Sequence, residues 1–449
     1  MLHTSKKGNK GVYLFIMCAL ALALCFPMSV FAQQPKPHTP QVKSPDVPKA
    51  PASMESPNYI IPAPPEQSHF YSWLGTRDKE KPRIHVGALE IHPYGSIEEK
   101  YDTNVYLEPK DRQNEDWITD YRTGIALKMP FVPSRGEDYV VEGFYHADFI
   151  EFLHQNKLSR VDHTAHGSIS GNLPSDVGFK VTEDFLRTQD PPNNERTLLT
   201  KRWWNMFDAR MNYTREKIKV EGAYTQTTNV YDLYSNINYN DYMGTGAIYY
   251  LIGTKTWLLA ESNAGRIMYN KSPTNSNSQY YQIRVGVEGK IAPKLEGTLK
   301  FGYRYQDYSR SDSTDYDALA AYGNVKYDVT QRTSLKLYGE RKPIESTYGS
   351  NSYYIDNMVG ATFDHLLMRR LWLTGGAWWA YDEYPTDSQE GDTVDRRTDA
   401  LWGTGIGLKY EVKDWLFLNT GYNFKQRDSV FHNYNYNDHQ ITMRGSVAF

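Results

Sequence analysis

Eight short polar turns recur along residues 89–449 at intervals of roughly 40 residues, and this rhythm leaves the chain very few folds to adopt. They fall at residues 132–138, 173–176, 214–217, 253–255, 292–294, 328–332, 366–369 and 412–414. Between successive turns lies an alternating apolar run, then a longer segment rich in Asn, Asp, Ser and Tyr, then a second alternating run. Residues 188–200, 229–241, 272–278 and 385–396 are such longer segments. Eight tight turns separate nine strand–loop–strand units, which predicts about 18 strands. Weaker alternation over residues 229–270 keeps about 16 as the alternative.

A soluble sandwich and a membrane barrel both alternate with period 2, but they differ in what the polar face carries. Leu295, Gly297, Leu299, Phe301, Tyr303 and Tyr305 share one face, and Glu296, Thr298, Lys300, Arg304 and Gln306 share the other. Tyr281, Ile283, Val285 and Val287 oppose Gln282, Arg284, Glu288 and Lys290. Leu416, Leu418, Tyr422 and Phe424 oppose Asn419, Asn423 and Lys425. Rows of charge behind rows of apolar side chains suit a barrel in lipid, apolar outside and charged within. The fold expected for residues 89–449 is therefore all-β: a transmembrane, antiparallel, up-and-down β-barrel with periplasmic turns and extracellular loops.

Composition agrees. A mean hydropathy of −0.65 excludes a polytopic helical membrane protein. Fifty Lys and Arg against 53 Asp and Glu give no sign of a nucleic-acid partner. Aromatics reach 14%, with 36 Tyr among them. Rings with an apolar body and a polar tip settle at membrane interfaces, so Trp203-Trp204, Tyr249-Tyr250, Tyr303-Tyr305-Tyr308 and Trp378-Trp379-Tyr381 are expected in girdles.

The ends carry export signals. Lys6, Lys7 and Lys10 precede an apolar run from Val12 to Phe26, with Val30 and Ala32 before Gln33, which is the pattern of a signal peptide over residues 1–32. Both cysteines, Cys18 and Cys25, lie inside it, so no disulfide is expected in the mature chain. Ten prolines over residues 33–66 make the stretch to residue 88 an extended, mostly disordered periplasmic leader. At the other end Ile441, Met443, Gly445, Val447 and Phe449 alternate with Thr442, Arg444, Ser446 and Ala448. A last amphipathic strand ending in Phe is similar to the signal read by the barrel-insertion machinery, which assigns Phe449 an assembly role.

The first barrel strand contains Pro93-Tyr94-Gly95 and then Glu99-Lys100-Tyr101-Asp102-Thr103-Asn104-Val105-Tyr106, followed by Asp116-Trp117-Ile118-Thr119. This resembles the opening of the type 2 family of β-barrel porins, and the hairpin rhythm and terminal Phe extend the likeness over residues 89–449. The resemblance implies an outer-membrane pore that serves exopolysaccharide export, with polysaccharide export components, outer-membrane lipid and lipopolysaccharide as partners. It brings no catalytic residue and no cofactor.

An 18-stranded barrel is wide enough for an aqueous channel unless it is plugged. By alternation its lining includes Arg122, Lys128, Arg210, Arg284, Glu288, Lys290, Glu296, Lys300, Arg304, Lys326, Lys336, Glu340, Lys409, Lys425 and Arg444. Twelve of these fifteen are basic, which either favours anionic cargo or reflects neutral pairing with acids such as Asp208, Asp307 and Asp328. His163, His166 and Ser168 form the one His/Ser/Asp concentration. In a strand the two histidines point to opposite faces, a poor metal pair, and no third group fixes a nucleophile and base. No enzyme and no metal site is expected. The competing function is a non-conducting surface barrel, closed by its leader or loops, that binds or anchors polysaccharide; an outer-membrane hydrolase, which would lose its activity on Ser168→Ala, ranks third.

Overall fold

The computed structural model describes residues 84–449 except 132–137, 174–176, 194, 196, 198, 271–275, 311–312, 348–350 and 391–392. The expected signal peptide, most of the expected leader and two of the eight expected turns lie outside the described residues. A short strand, β1 (Ile84–Val86), precedes eighteen long ones. They are β2 (Leu89–Asp102), β3 (Asp116–Phe131), β4 (Asp138–Phe152), β5 (Arg160–Leu173), β6 (Val177–Thr188) and β7 (Arg202–Arg215). Next come β8 (Ile218–Tyr231), β9 (Tyr239–Leu251), β10 (Thr256–Tyr269), β11 (Ser278–Ala292), β12 (Leu295–Tyr308) and β13 (Tyr316–Thr330). The series ends with β14 (Thr333–Glu345), β15 (Tyr353–Met368), β16 (Leu371–Glu390), β17 (Thr393–Lys413), β18 (Leu416–Ser429) and β19 (Tyr436–Ala448).

Each long strand pairs antiparallel with the next, and β19 returns to β2 with Gln440 opposite Asp102 and Ala448 opposite Tyr94. The result is a closed 18-stranded up-and-down barrel. The described tight connections at one end are six of the short turns seen in the sequence. Arg215 faces Ile218 across a two-residue turn whose Glu216 takes φ 54°. The β1 residues continue the edge that β19 leaves vacant, with Ile84 opposite Ile91 and Val86 opposite Leu89. Residues 84–86, assigned from sequence to the leader, thus belong to the sheet.

Alternation sets the two faces. Ile283 (64% exposed), Phe301 (60%) and Met443 (66%) represent the outer rows. The intervening Lys300 and Arg210 are only 2% and 3% exposed. An apolar outside and a polar inside are what a lipid setting demands.

The aromatic girdle expectation needs correcting. Tyr303, Tyr305, Trp379 and Tyr250 do face outward, but their neighbours Tyr308 (4%), Trp378 (6%) and Tyr249 (1%) are buried on the inner face. A tyrosine ring suits either side, because its body packs and its hydroxyl finds a partner. Inward rings also lie over glycines on the adjoining strand: Tyr280 over Gly265 and Tyr338 over Gly360, directly opposite in register, where a Cβ would clash with the ring.

Candidate functional site

The lumen is built from the inward rows, and all fifteen residues singled out from sequence stand on them. Arg122 pairs with Asp148 at 2.5 Å, Arg444 with Glu98 at 2.6 Å, and Lys425 with Asp438 at 3.4 Å. Arg210 meets Glu221, while Arg284 and Lys300 converge on Glu261, Lys300 at 2.5 Å. Glu288 lies 3.8 Å from Lys219, Lys326 2.9 Å from Asp328, and Glu340 2.5 Å from Lys342. Arg304 sits 4.0 Å over the Tyr280 ring and donates to Gln306 at 2.7 Å. Lys409 approaches the rings of Trp372 and Phe417 at 5.6 and 5.8 Å. Across the ladder Lys128 stands opposite Glu142, Lys290 opposite Glu296, and Lys336 opposite Lys326.

Glu288, Glu296, Glu340 and Asp328 were picked out from sequence, but Asp148, Glu98, Asp438, Glu221, Glu261 and Glu142 were not, although the same parity marks them. With them included, the lumen is a charge-compensated network rather than a basic bore. Asp208 joins it beside Arg210, at 3.7 Å, whereas Asp307 stands on the outward row with Tyr303 and Tyr305. His166 and Ser168 share the inner face as expected, but each is engaged elsewhere: His166 Nδ1 with Asp184 at 2.7 Å, Ser168 Oγ with Glu142 at 3.4 Å. His163 faces outward, 2.8 Å from the Tyr145 hydroxyl.

The Tyr-Asp-Thr-Asn segment has a mechanical role. Asp102 accepts from the Asn104 backbone N–H and from Gln440 Nε2, both at 2.9 Å. Asn104 donates to the carbonyls of Glu108 (2.7 Å) and Asn437 (2.9 Å). These bonds fasten the loop after β2 to the seam strand β19 and turn it inward, so that Val105 packs with Ile118 and Phe152 inside the barrel mouth. At the other end of the seam, Phe449 stacks on Trp415 (5.9 Å between ring centroids) and donates its N–H to the Pro93 carbonyl at 3.0 Å.

The described residues of a second loop, between β6 and β7, also enter the mouth. Its root is held by Arg160 on Asp190, at 2.5 Å. Its Glu195, 1% exposed, accepts from Ser346 Oγ at 2.6 Å and from the backbone N–H and hydroxyl of Thr347, each at 2.7 Å. Ser346 and Thr347 follow β14, so the β6–β7 and β14–β15 connections meet although they lie eight strands apart on an eighteen-strand ring. Burial pushes the Glu195 carboxyl up from the ordinary glutamate value, against the pull of Arg397 and of these donors. Sequence spacing identified 188–200 as a long loop but carried no sign of this latch.

Beneath these loops a hollow of about 260 Å³ opens on the seam side of the lumen. Ile118, Ile150, Phe152 and Leu199 form one wall, and Asn419, Asn423, Gln440 and Thr442 the other. Its middle tier runs along the register from Asn419 to Arg444, Glu98 and Asp120. In that tier Asn419 Nδ2 and Asp120 Oδ1 are buried without a hydrogen-bond partner among the described residues.

The outer membrane protein OpdK of Pseudomonas aeruginosa is similar at a TM-score of 0.45 and 10% identity, over 80% of this chain and 99% of that one. OpdL of the same organism gives 0.41 and 11% over 81% and 99%. The ferric enterobactin receptor PfeA, also of Pseudomonas aeruginosa, gives 0.40 and 10% over 82% of each chain. No curated protein matches the sequence. The family model described as Putative beta-barrel porin 2 matches residues 208–448, more than half of the chain. With its closed barrel and polar lumen, the protein belongs to that family of outer-membrane β-barrel porins.

Proposed function

We propose that the protein is an outer-membrane channel for hydrophilic solutes, its turns in the periplasm and its loops outside. What supports this is one observation: a closed barrel whose outer face is apolar and whose inner face is a charge-compensated polar network. The fifteen inward residues then line the path. Because nearly every cation among them has a carboxylate beside it, passage discriminates weakly between anions and cations. The latch at Glu195 makes the resting channel a constricted one. Export of exopolysaccharide, implied by the family resemblance, is the finer form of this reading. It requires the 189–201 loop to leave the mouth so that a polymer can thread, with export components acting from the periplasmic side and the leader beside them.

The latch also favours a second reading, a shut barrel that anchors polysaccharide at the surface. Single-channel conductance of the refolded protein in a planar bilayer, under a salt gradient, separates the two. Steady openings with near-equal ion permeabilities support the channel. Silence from both the native chain and Glu195→Ala refutes it and leaves the anchoring barrel.

A further inference from the structure

The seam-side hollow has the chemistry of a binding site, and its lining points to a ligand class. Each cation on it has a counter-charge. Arg122, Arg160, Arg444 and Lys425 hold Asp148, Asp190, Glu98 and Asp438 at 2.5, 2.5, 2.6 and 3.4 Å, and Lys100 lies 3.9 Å from Asp102. Asp364 supplies the opposing charge for Lys409. An anionic solute would have to displace one of these carboxylates from its cation, and a cationic one at Asp120 would meet the charges of Arg122 and Arg444 beside it, which disfavours ions of either sign. What remains for a ligand is hydrogen bonding of mixed sense. Asn419 has a spare N–H, Asp120 has a spare lone pair, and the two are in one tier of the ladder. Three strand spacings, roughly 14 Å, separate the two positions, so two groups on one molecule must answer them, and among common solute groups the one that can donate to Asp120 as well as accept from Asn419 is a hydroxyl. The opposite wall is apolar, suited to the C–H face of a compact ring.

We infer that the hollow formed by Asn419, Asp120 and the Ile118–Ile150–Phe152 wall is a site for a small uncharged polyhydroxylated solute of monosaccharide size. The inference rests on the channel reading and gives it a substrate class. It also narrows that reading, because a hollow of about 260 Å³ roofed by two loops seats a single ring rather than a polymer.

The test is calorimetric titration of the full-length protein in detergent with three probes of one size: galactose, galacturonate and galactosamine. It is run beside current recordings in bilayers with the same probes. Galactose is expected to bind, with galacturonate and galactosamine at least tenfold weaker. Asn419→Ala and the near-isosteric Asp120→Asn each weaken galactose roughly three- to tenfold, the worth of one hydrogen bond. A heat-shifted gel mobility like that of the native chain certifies that both variants have folded. Galacturonate or galactosamine binding as tightly as galactose overturns the neutral-ligand assignment. No galactose heat from a protein that conducts overturns the site and spares the channel. Galactose heat from a protein that never conducts sustains the site and sinks the channel.

Discussion

The two sides of the lumen are built from the same alternating strands, yet one is hollow and the other is filled. On the far side, β9 to β15, tyrosines interlock. Tyr308 stacks on Tyr353 at 5.6 Å, and Tyr269 and Tyr308 donate to Glu345 at 2.7 and 2.9 Å. The Arg284–Glu261–Lys300 triad lies beneath them with side chains 15%, 4% and 2% exposed. On the seam side Lys425–Asp438 is as dry, at 8% and 0%, but the Arg444–Glu98 and Arg122–Asp148 pairs keep more water, at 12% and 18% and at 23% and 10%. Buried charge depends on its partner for its existence, whereas hydrated charge has water as an alternative. The far side therefore carries stability, and the seam side is free to carry selectivity.

Substitutions can break this contrast. The largest effect on conduction belongs to the bridge between the sides. Glu195→Ala removes three hydrogen bonds to a carboxylate, together worth about 3 kcal/mol or more, so the latch equilibrium moves at least ~100-fold toward release. Open probability in bilayers reads it, and an unchanged value would show that the loop does not govern the path. Next comes the far-side triad. Glu261→Gln strands two buried cations and costs about 3–5 kcal/mol, while the matched Glu98→Gln costs about 1 kcal/mol or less. Urea unfolding in detergent compares the two, and equal losses would erase the distinction between the sides. Gly265→Ala pushes the Tyr280 ring off its glycine and off Asp241, to which it donates at 2.8 Å, for about 1–3 kcal/mol by the same assay.

The smallest effect is a pH dependence of the bridge. The carboxyl of Glu195 titrates above its ordinary value in the latched state, so that state binds the proton more tightly than the released one. Latching is then fully favoured below the ordinary glutamate range and loses that contribution as pH rises through the raised value. Conductance should increase from acid to neutral pH in the native chain and stay flat in Glu195→Gln.

What the sequence made legible was local. The six described turns and the parity of the inward charges follow from spacing alone, because a strand's faces are decided residue by residue. The inner tyrosines were hidden for a chemical reason: Tyr249 and Tyr250 are equally suited to lipid and lumen, and only register tells which one points in. The latch was hidden for a topological reason. Glu195 and Ser346 are 151 positions apart, both sit in irregular loops, and no periodicity links them. The Asp102–Asn104 clamp was visible as a motif, but its work of fastening a loop to β19 needed the closed ring.

The meeting of the two loops also has a consequence for the shape of the whole barrel. A ring of eighteen strands is a soft hoop that can flatten in one direction while widening in another. The contact between Glu195 and Ser346–Thr347 joins two points almost opposite each other, as a strut fixes one diameter of a wheel. Squeezing the hoop along that line buckles the strut, and squeezing it across pulls the strut apart. The roundness of the wall and the closure of the mouth are thus one mechanical coordinate, and a load applied to the barrel from the surrounding membrane is felt at a single carboxylate.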